Sequence, residues 1–309
     1  MKIGLIDVDG HHFPNLALMK ISAYHKRQGD TVEWVNYFYR YDRVYCSKVF
    51  TYTPDVAICI QSLEVVKGGT GYNLYDELFC DGEIPDYALY PMYKEAYGFL
   101  TRGCIRKCTW CIVPQKEGKI RPYCDIDTVL QGRKRAILLD NNVLASDFGL
   151  EQIEKIVELK CRVDFNQGLD ARLVTDDVAK LLSKVRWIEV IRFAVDTESQ
   201  IDPFLSAIEK LNRYGIPSRK IFVFVLLREL LDSYRRINLL KELGVHPFAQ
   251  PFRRFDGKSK IPQWQYDMAR YANRKAILKS VDFKDYRPRR GFKCAEYFKN
   301  DVNINQSNQ

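Results

Sequence analysis

The 309-residue sequence contains no apolar run long enough to cross a bilayer as a helix, a span of about 20 residues. It shows no basic-then-apolar leader either; its start, MKIGLIDVDG, reads as a buried strand. A chain without membrane contact is expected. Histidine is scarce: His11, His12, His25 and His246 are the only four, and none lies near the main cysteine group in sequence. A second C-x2-C pair is missing too. Zinc usually takes four ligands, often two such pairs or cysteines with histidine, so a standard zinc site is not prefigured. The nine cysteines are odd in number and do not follow the spacing of a secreted disulfide framework. A reducing, cytoplasmic setting is the expectation.

What the sequence does have is concentrated in residues 97–121, YGFLTRGCIRKCTWCIVPQKEGKIR. Cys104, Cys108 and Cys111 stand there in the spacing C-x3-C-x2-C, after the strand-like run Tyr97–Leu100. Three thiolates from one loop can hold three irons of a [4Fe–4S] cluster and leave the fourth iron open. An open metal position separates a reactive site from a closed structural one. Part of a zinc site, or plain buried thiols, are the other readings of the same residues.

The stretch resembles the signature of the radical S-adenosylmethionine (SAM) enzymes, C-x3-C-x-aromatic-C, with Trp110 in the aromatic slot. The resemblance implies a cluster held by Cys104, Cys108 and Cys111, SAM bound at its open iron, and cleavage of SAM to methionine and a 5′-deoxyadenosyl radical. It also implies an external electron donor of flavodoxin or ferredoxin type.

Around this motif the chain alternates. Strands are expected at Tyr97–Leu100, Ala136–Leu139, Val163–Phe165, Ile188–Phe193, Ile221–Leu226 and Val245–Phe248. Helices are expected at Ile126–Gln131, Leu150–Lys160, Thr175–Lys184, Ile201–Tyr214 and Leu231–Leu243. Such alternation predicts a parallel sheet, and the resemblance makes it a partial (β/α)6 barrel over residues 95–255. Active groups of such a barrel gather at the carboxyl ends of its strands. Those ends offer Asp140, Arg172, Asp196 and Glu198 as cofactor-binding candidates beside Trp110. Asp140 stands where many relatives carry a Gly-Gly-Glu that binds the SAM ammonium; an Asx-turn is the alternative. Arg172 suits the SAM carboxylate, although Asp170 can pair with it instead. Asp196 and Glu198 follow the fourth strand, which in this superfamily touches ribose and methionine. Arg192, inside that strand, needs a partner; Arg228, Glu229 and Phe252 are weaker candidates.

Residues 1–94 read as a small open α/β sheet: strand KIGLID, a helix at Asn15–Arg27 capped by Asn15 and stopped at Gly29, then strands Thr31–Val35, Val44–Phe50 and Val56–Ile60. A glycine turn follows at residues 65–73. This part resembles the Rossmann-like, cobalamin-binding-type domain that precedes many radical SAM barrels. The cobalamin motif D-x-H-x-x-G is only half kept: Asp9 and His11 are present, but Pro14 replaces the glycine that would let backbone approach the cofactor. Bound cobalamin is therefore not expected, though the domain type admits it. Methylthiotransferases share the architecture and add a second cluster on three N-terminal cysteines. Cys46, Cys59 and Cys80 exist here, but none in the first strand–helix loop, so one cluster of about four irons is expected.

Residues 256–309 form a basic, aromatic extension with one helix running through Trp264, Tyr266, Met268 and Tyr271 to Lys279, and a frayed polar tail. Net charge is +9. Nucleic acid is one reading of that charge; a solvated basic face is the other. The function expected is radical SAM chemistry on an unknown substrate. The alternatives are a cobalamin-dependent methyltransferase or methylthiotransferase-like RNA-modifying enzyme, and a non-catalytic metal-stabilised binding protein.

Overall fold

The structure, a computed structural model, describes residues 1–56, 60–257 and 260–299. The chain divides into two compact units, Met1–Tyr97 with Arg254–Lys258, and Gly98–Arg253 with Ser259–Gln309.

The first unit is a four-stranded parallel sheet in the order Thr31–Trp34, Lys2–Asp7, Tyr41–Ser47, Ser62–Gly68. Its first strand shows the period of two that a sheet imposes. Ile3 and Leu5 join Leu18 and Ile21 of the helix Leu16–Arg27 in one core, while Ile6 joins Val44 and Cys46 in another. Asn15 caps the helix as expected, accepting the Leu18 N–H, and Gly29 follows its end at φ +84°. The strand expected at Val44–Phe50 sits earlier, at Tyr41–Ser47. The run Val56–Ile60 includes residues 57–59, which lie outside the described residues, Cys59 among them; the next strand is Ser62–Gly68. The glycine turn after it is real: Gly69 has φ +95°, and a Cβ there would meet the Lys48 carbonyl oxygen at 2.6 Å.

The second unit is the partial barrel. Its six principal strands are Ala96–Gly98, which leads into it, Arg135–Leu138, Arg162–Phe165, Ile191–Ala194, Ile221–Leu227 and His246–Pro251. They form two sheets, with the short Arg186–Trp187 added beside the third strand. A single parallel bridge between Leu169 and Phe193 joins the third strand's extension to the fourth strand. The helices Ile126–Leu130, Asp147–Glu158, Asp176–Lys184, Ile201–Arg213 and Leu230–Glu242 alternate with the strands. In Ile221–Leu227 buried residues alternate with half-buried ones. Arg192, the charge inside the fourth strand, has the partner it required: Asp164, at 2.7–3.0 Å through three hydrogen bonds, with Phe222 under the guanidinium at 4.8 Å.

Beyond the last strand, the helix expected to run to Lys279 breaks in two, Gln263–Ala272 and Lys275–Ser280. The break has a cause. Asn273 turns its amide to the last barrel strand, accepting the Ala249 N–H (2.7 Å) and donating to the Ala249 carbonyl (3.0 Å). Met268, Tyr271 and Ala272 on the first of the two helices are fully buried. Several basic residues of the extension serve local contacts. Arg289 pairs with the buried Asp267 at 2.7 Å and lies over Phe292, Lys293 pairs with Asp285, and Lys284 rests on Tyr234 and Phe298. The tail from residue 300 lies outside the described residues.

Candidate functional site

The cysteine loop begins at a residue that must be glycine. Gly103 has φ +85°, and a Cβ there would stand 2.2 Å from the Lys119 carbonyl oxygen. Thr101–Arg102 pairs antiparallel with Arg121–Pro122, closing the loop at its base. Glu117 reinforces that closure by accepting from the Gly103 N–H (2.9 Å), Asn141 Nδ2 (2.8 Å) and Arg102 (2.8 Å). Within the loop, the Cys111 N–H donates to the Cys108 carbonyl at 3.0 Å.

Cys104, Cys108 and Cys111 all line one cavity of about 230 Å³, together with Trp110, Asn142, Arg172 and Asp196. Burial pushes the Cys108 and Cys111 thiols above their ordinary pKa. Among the described residues, no three His, Cys, Asp or Glu side chains are set to hold a single metal ion. Two neighbours donate to the Cys104 sulfur: the Arg106 N–H at 3.3 Å and Asn142 Nδ2 at 3.4 Å.

The other candidates divide. Arg172 lines the cavity, but Asp170 engages it through two hydrogen bonds at 2.6 and 3.1 Å; Arg106 holds the same carboxylate at 2.8 Å. Burial would raise the Asp170 pKa, yet the two arginines outweigh it and hold the carboxyl below its ordinary value. Asp196 lines the cavity and accepts the Leu226 N–H at 2.9 Å. Burial raises its pKa, opposed by that bond, by the charges of Arg236 and Arg228, and by a hydrogen bond with Trp110. Arg228 lies over the Trp110 ring at 4.7 Å and near Phe252 at 5.6 Å. Thus the cysteine loop's aromatic residue is tied to the ends of the fourth, fifth and sixth strands.

Two candidates fall outside the cavity. Glu198 is exposed and lies 3.7 Å from Arg235, a surface pair of little energetic weight. Asp140 is 2% exposed, and its carboxylate is occupied by the Leu100 N–H, the Thr101 N–H and the Thr101 hydroxyl at 2.6–3.1 Å. It fixes the chain just before the cysteine loop and presents no acceptor to the cavity. Burial raises its pKa to about 6. Asp140→Asn would set an amide NH2 against backbone donors, and a loss of about 1–3 kcal/mol is expected in urea unfolding. A folded pKa above the unfolded 3.8 stabilises the fold most below 3.8, and that contribution is lost as pH rises through about 6. The wild-type margin over Asp140→Asn should therefore narrow between those limits.

Sequence reasoning passed over three residues that matter here. Asn142 is 3% exposed and lines the cavity, and its Oδ1 has no hydrogen-bond partner among the described residues. Its place two residues beyond Asp140, at a strand's carboxyl end, was the available signal. Arg106 sits inside the motif at a position the spacing leaves open. Arg236 is fully buried and donates to the Val195 carbonyl (2.7 Å), the Leu226 carbonyl (3.0 Å) and Asp232 (2.6 Å). Its i,i+4 pairing with Asp232 looks, in sequence, like an ordinary exposed helix pair.

In the first unit, Asp9 is buried and its carboxylate accepts the Val49 and Phe50 N–H groups at 2.9 and 2.8 Å, while His11 and His12 are exposed at φ +47° and +69°. Cys46 and Cys80 belong to separate cores, so those two do not share a ligand set.

No protein-family model matches the sequence, and no curated protein gives a match. The solved structures similar to the chain include two of OxsB, a cobalamin-dependent S-adenosylmethionine radical enzyme: one with aqua-cobalamin bound, the other with aqua-cobalamin and S-adenosylmethionine. Each aligns at a TM-score of 0.51 and 13% identity, over 77% of this chain and 51% of that one. The chain thus spans about half the length of those neighbours, and at that identity what it shares with them is the fold.

Proposed function

We propose that the chain is a radical SAM enzyme. The observation that carries this reading is that all three cysteines of C-x3-C-x2-C line one cavity of a partial (β/α)6 barrel. The residues fit the implied groups. Cys104, Cys108 and Cys111 would hold a [4Fe–4S] cluster through three irons. The partnerless Oδ1 of Asn142 supplies a buried acceptor for an ammonium, in place of Asp140. Arg172 and Arg106, both on Asp170, supply positive charge for a carboxylate. When bound, the cluster and SAM supply reductive cleavage to methionine and a 5′-deoxyadenosyl radical. The protein's own residues hold and orient: Trp110, braced by Arg228 and Asp196, fixes the loop, and Glu117 pins its base.

The test is anaerobic. Protein reconstituted with iron and sulfide and then reduced should turn SAM into 5′-deoxyadenosine, slowly even without substrate. A chain that takes up zinc alone, or binds a cluster without turnover, would leave the non-catalytic binding protein as the better reading.

A second reading, a cobalamin-dependent radical SAM methyltransferase, draws on the likeness to OxsB. The loop that would carry it fits poorly, because Asp9 is occupied by backbone N–H groups and offers His11 no orienting carboxylate. A corrin spectrum in purified protein decides between the two. For substrate, nucleic acid or a small molecule is proposed. Polyanion binding that falls steeply with salt, and that Ala substitution of Arg287 and Arg290 weakens, would select the former.

A further inference from the structure

The Asn142 amide is fixed in one orientation by a chain of contacts. Its Nδ2 lies 3.3 Å from Asp170 Oδ2, a carboxylate that can only accept, so the amide nitrogen must face it. Asp170 is itself held from both sides, by Arg106 and Arg172. The remaining N–H of Asn142 is thereby directed at Cys104 Sγ. On its other side, the buried Oδ1 has no partner among the described residues. An unsatisfied buried carbonyl is uncommon and costly, so folding alone does not account for an asparagine here.

We propose that Asn142 sets the reduction potential of the cluster, by donating an N–H to the Cys104 sulfur that ligates it. This rests on the radical SAM reading above. One-electron reduction adds a negative charge that spreads onto the ligand sulfurs, and donors to those sulfurs raise the potential. The donor end of that bond, Asn142, is 3% exposed, and a bond partly withdrawn from water counts for more than one in water. Cys104 also receives the Arg106 backbone N–H, which side-chain substitution cannot remove, so Asn142 is the adjustable donor. It is a positioning residue for the electron-transfer step, in which one electron enters from an external low-potential donor and no bond is made or broken.

The test uses the full reconstituted chain, titrated with titanium(III) citrate and followed by electron paramagnetic resonance. Titanium(III) gives up the electron that the cluster accepts. Asn142→Leu removes the donor at similar volume, and Asn142→Asp keeps the shape but replaces the donor with an acceptor. Both should make reduction about tenfold less favourable, a midpoint ~59 mV more negative for one electron, with the aspartate shift the larger. Wild-type midpoints in both variants, at full iron content, would overturn the tuning role while leaving the radical SAM reading intact. Variants that fold but lose the cluster would make Asn142 a structural support and overturn it equally. A wild-type chain that takes up no cluster would overturn both.

Discussion

Alanine at any one of Cys104, Cys108 or Cys111 is expected to reduce 5′-deoxyadenosine formation to background. On the reading proposed above, three thiolates would hold three irons, and among the described residues the carboxylates that line the cavity, Asp170 and Asp196, are already engaged by Arg106, Arg172 and Leu226. Removing one thiol leaves two protein bonds to the cluster, so iron should fall well below the roughly four per chain of an intact [4Fe–4S] centre. The fold should survive, because these cysteines are only partly buried and their loop is held at its base by Glu117 and by the Thr101–Arg102 pairing. Unchanged circular dichroism beside lost iron and lost product is the expected pattern. Product undiminished in Cys108→Ala would sink the ligand assignment.

The largest stability effect is expected at Arg236. Its guanidinium meets two strand-end carbonyls, Val195 and Leu226, as well as Asp232 and Ser233. Arg236→Met leaves those acceptors without their donor in a buried setting, and breaking such a network costs about 3–5 kcal/mol. Arg236→Lys keeps the charge but cannot span the same fork of acceptors, so it should fall between wild type and methionine. Denaturant midpoints with unchanged slope would report the order. There is a second readout. Arg236 is one of the charges that restrain the rise in the Asp196 pKa, so the methionine variant should shift the Asp196 carboxyl further upward, detectable by carboxyl infrared or NMR titration. Equal stability in all three proteins would remove Arg236 from its bracing role.

Much of the barrel was legible because its sequence repeats a strong pattern. Ile221–Leu227 is apolar throughout and bounded by charged residues, and the helices carry clear apolar faces, so their expected and observed limits differ by no more than three residues, and some coincide. The first unit was harder. Ser62–Gly68 is an edge strand whose Leu63 and Val65 are exposed, at 69% and 42%, so no buried alternation marks it. In the site, the cysteine spacing and Trp110 were readable because a single loop supplies them. Asp140, Arg172 and Asp196 were chosen by position at strand ends, but position does not reveal partners, and Asp140 lies outside the cavity. Asp140 is taken by backbone N–H groups of residues 100 and 101, and Arg172 by the carboxylate two residues before it. Arg236 was invisible because burial of a helix arginine depends on two carbonyls from other strands.

The side-chain clasp of Asn273 on Ala249 has a consequence for solubility. His246–Pro251 is the last strand of its sheet, and an unpaired strand edge is a template on which other chains can assemble. Its partner strand engages the even-numbered positions, as the Phe252 N–H bond to the Leu227 carbonyl shows, so residues 247, 249 and 251 face outward. Two of these are prolines, Pro247 and Pro251, which have no N–H to offer. The third is Ala249, whose N–H and carbonyl Asn273 already holds. Every outward donor on this edge is therefore missing or occupied, and a barrel that stops short of closure is protected at that rim from edge-to-edge polymerisation.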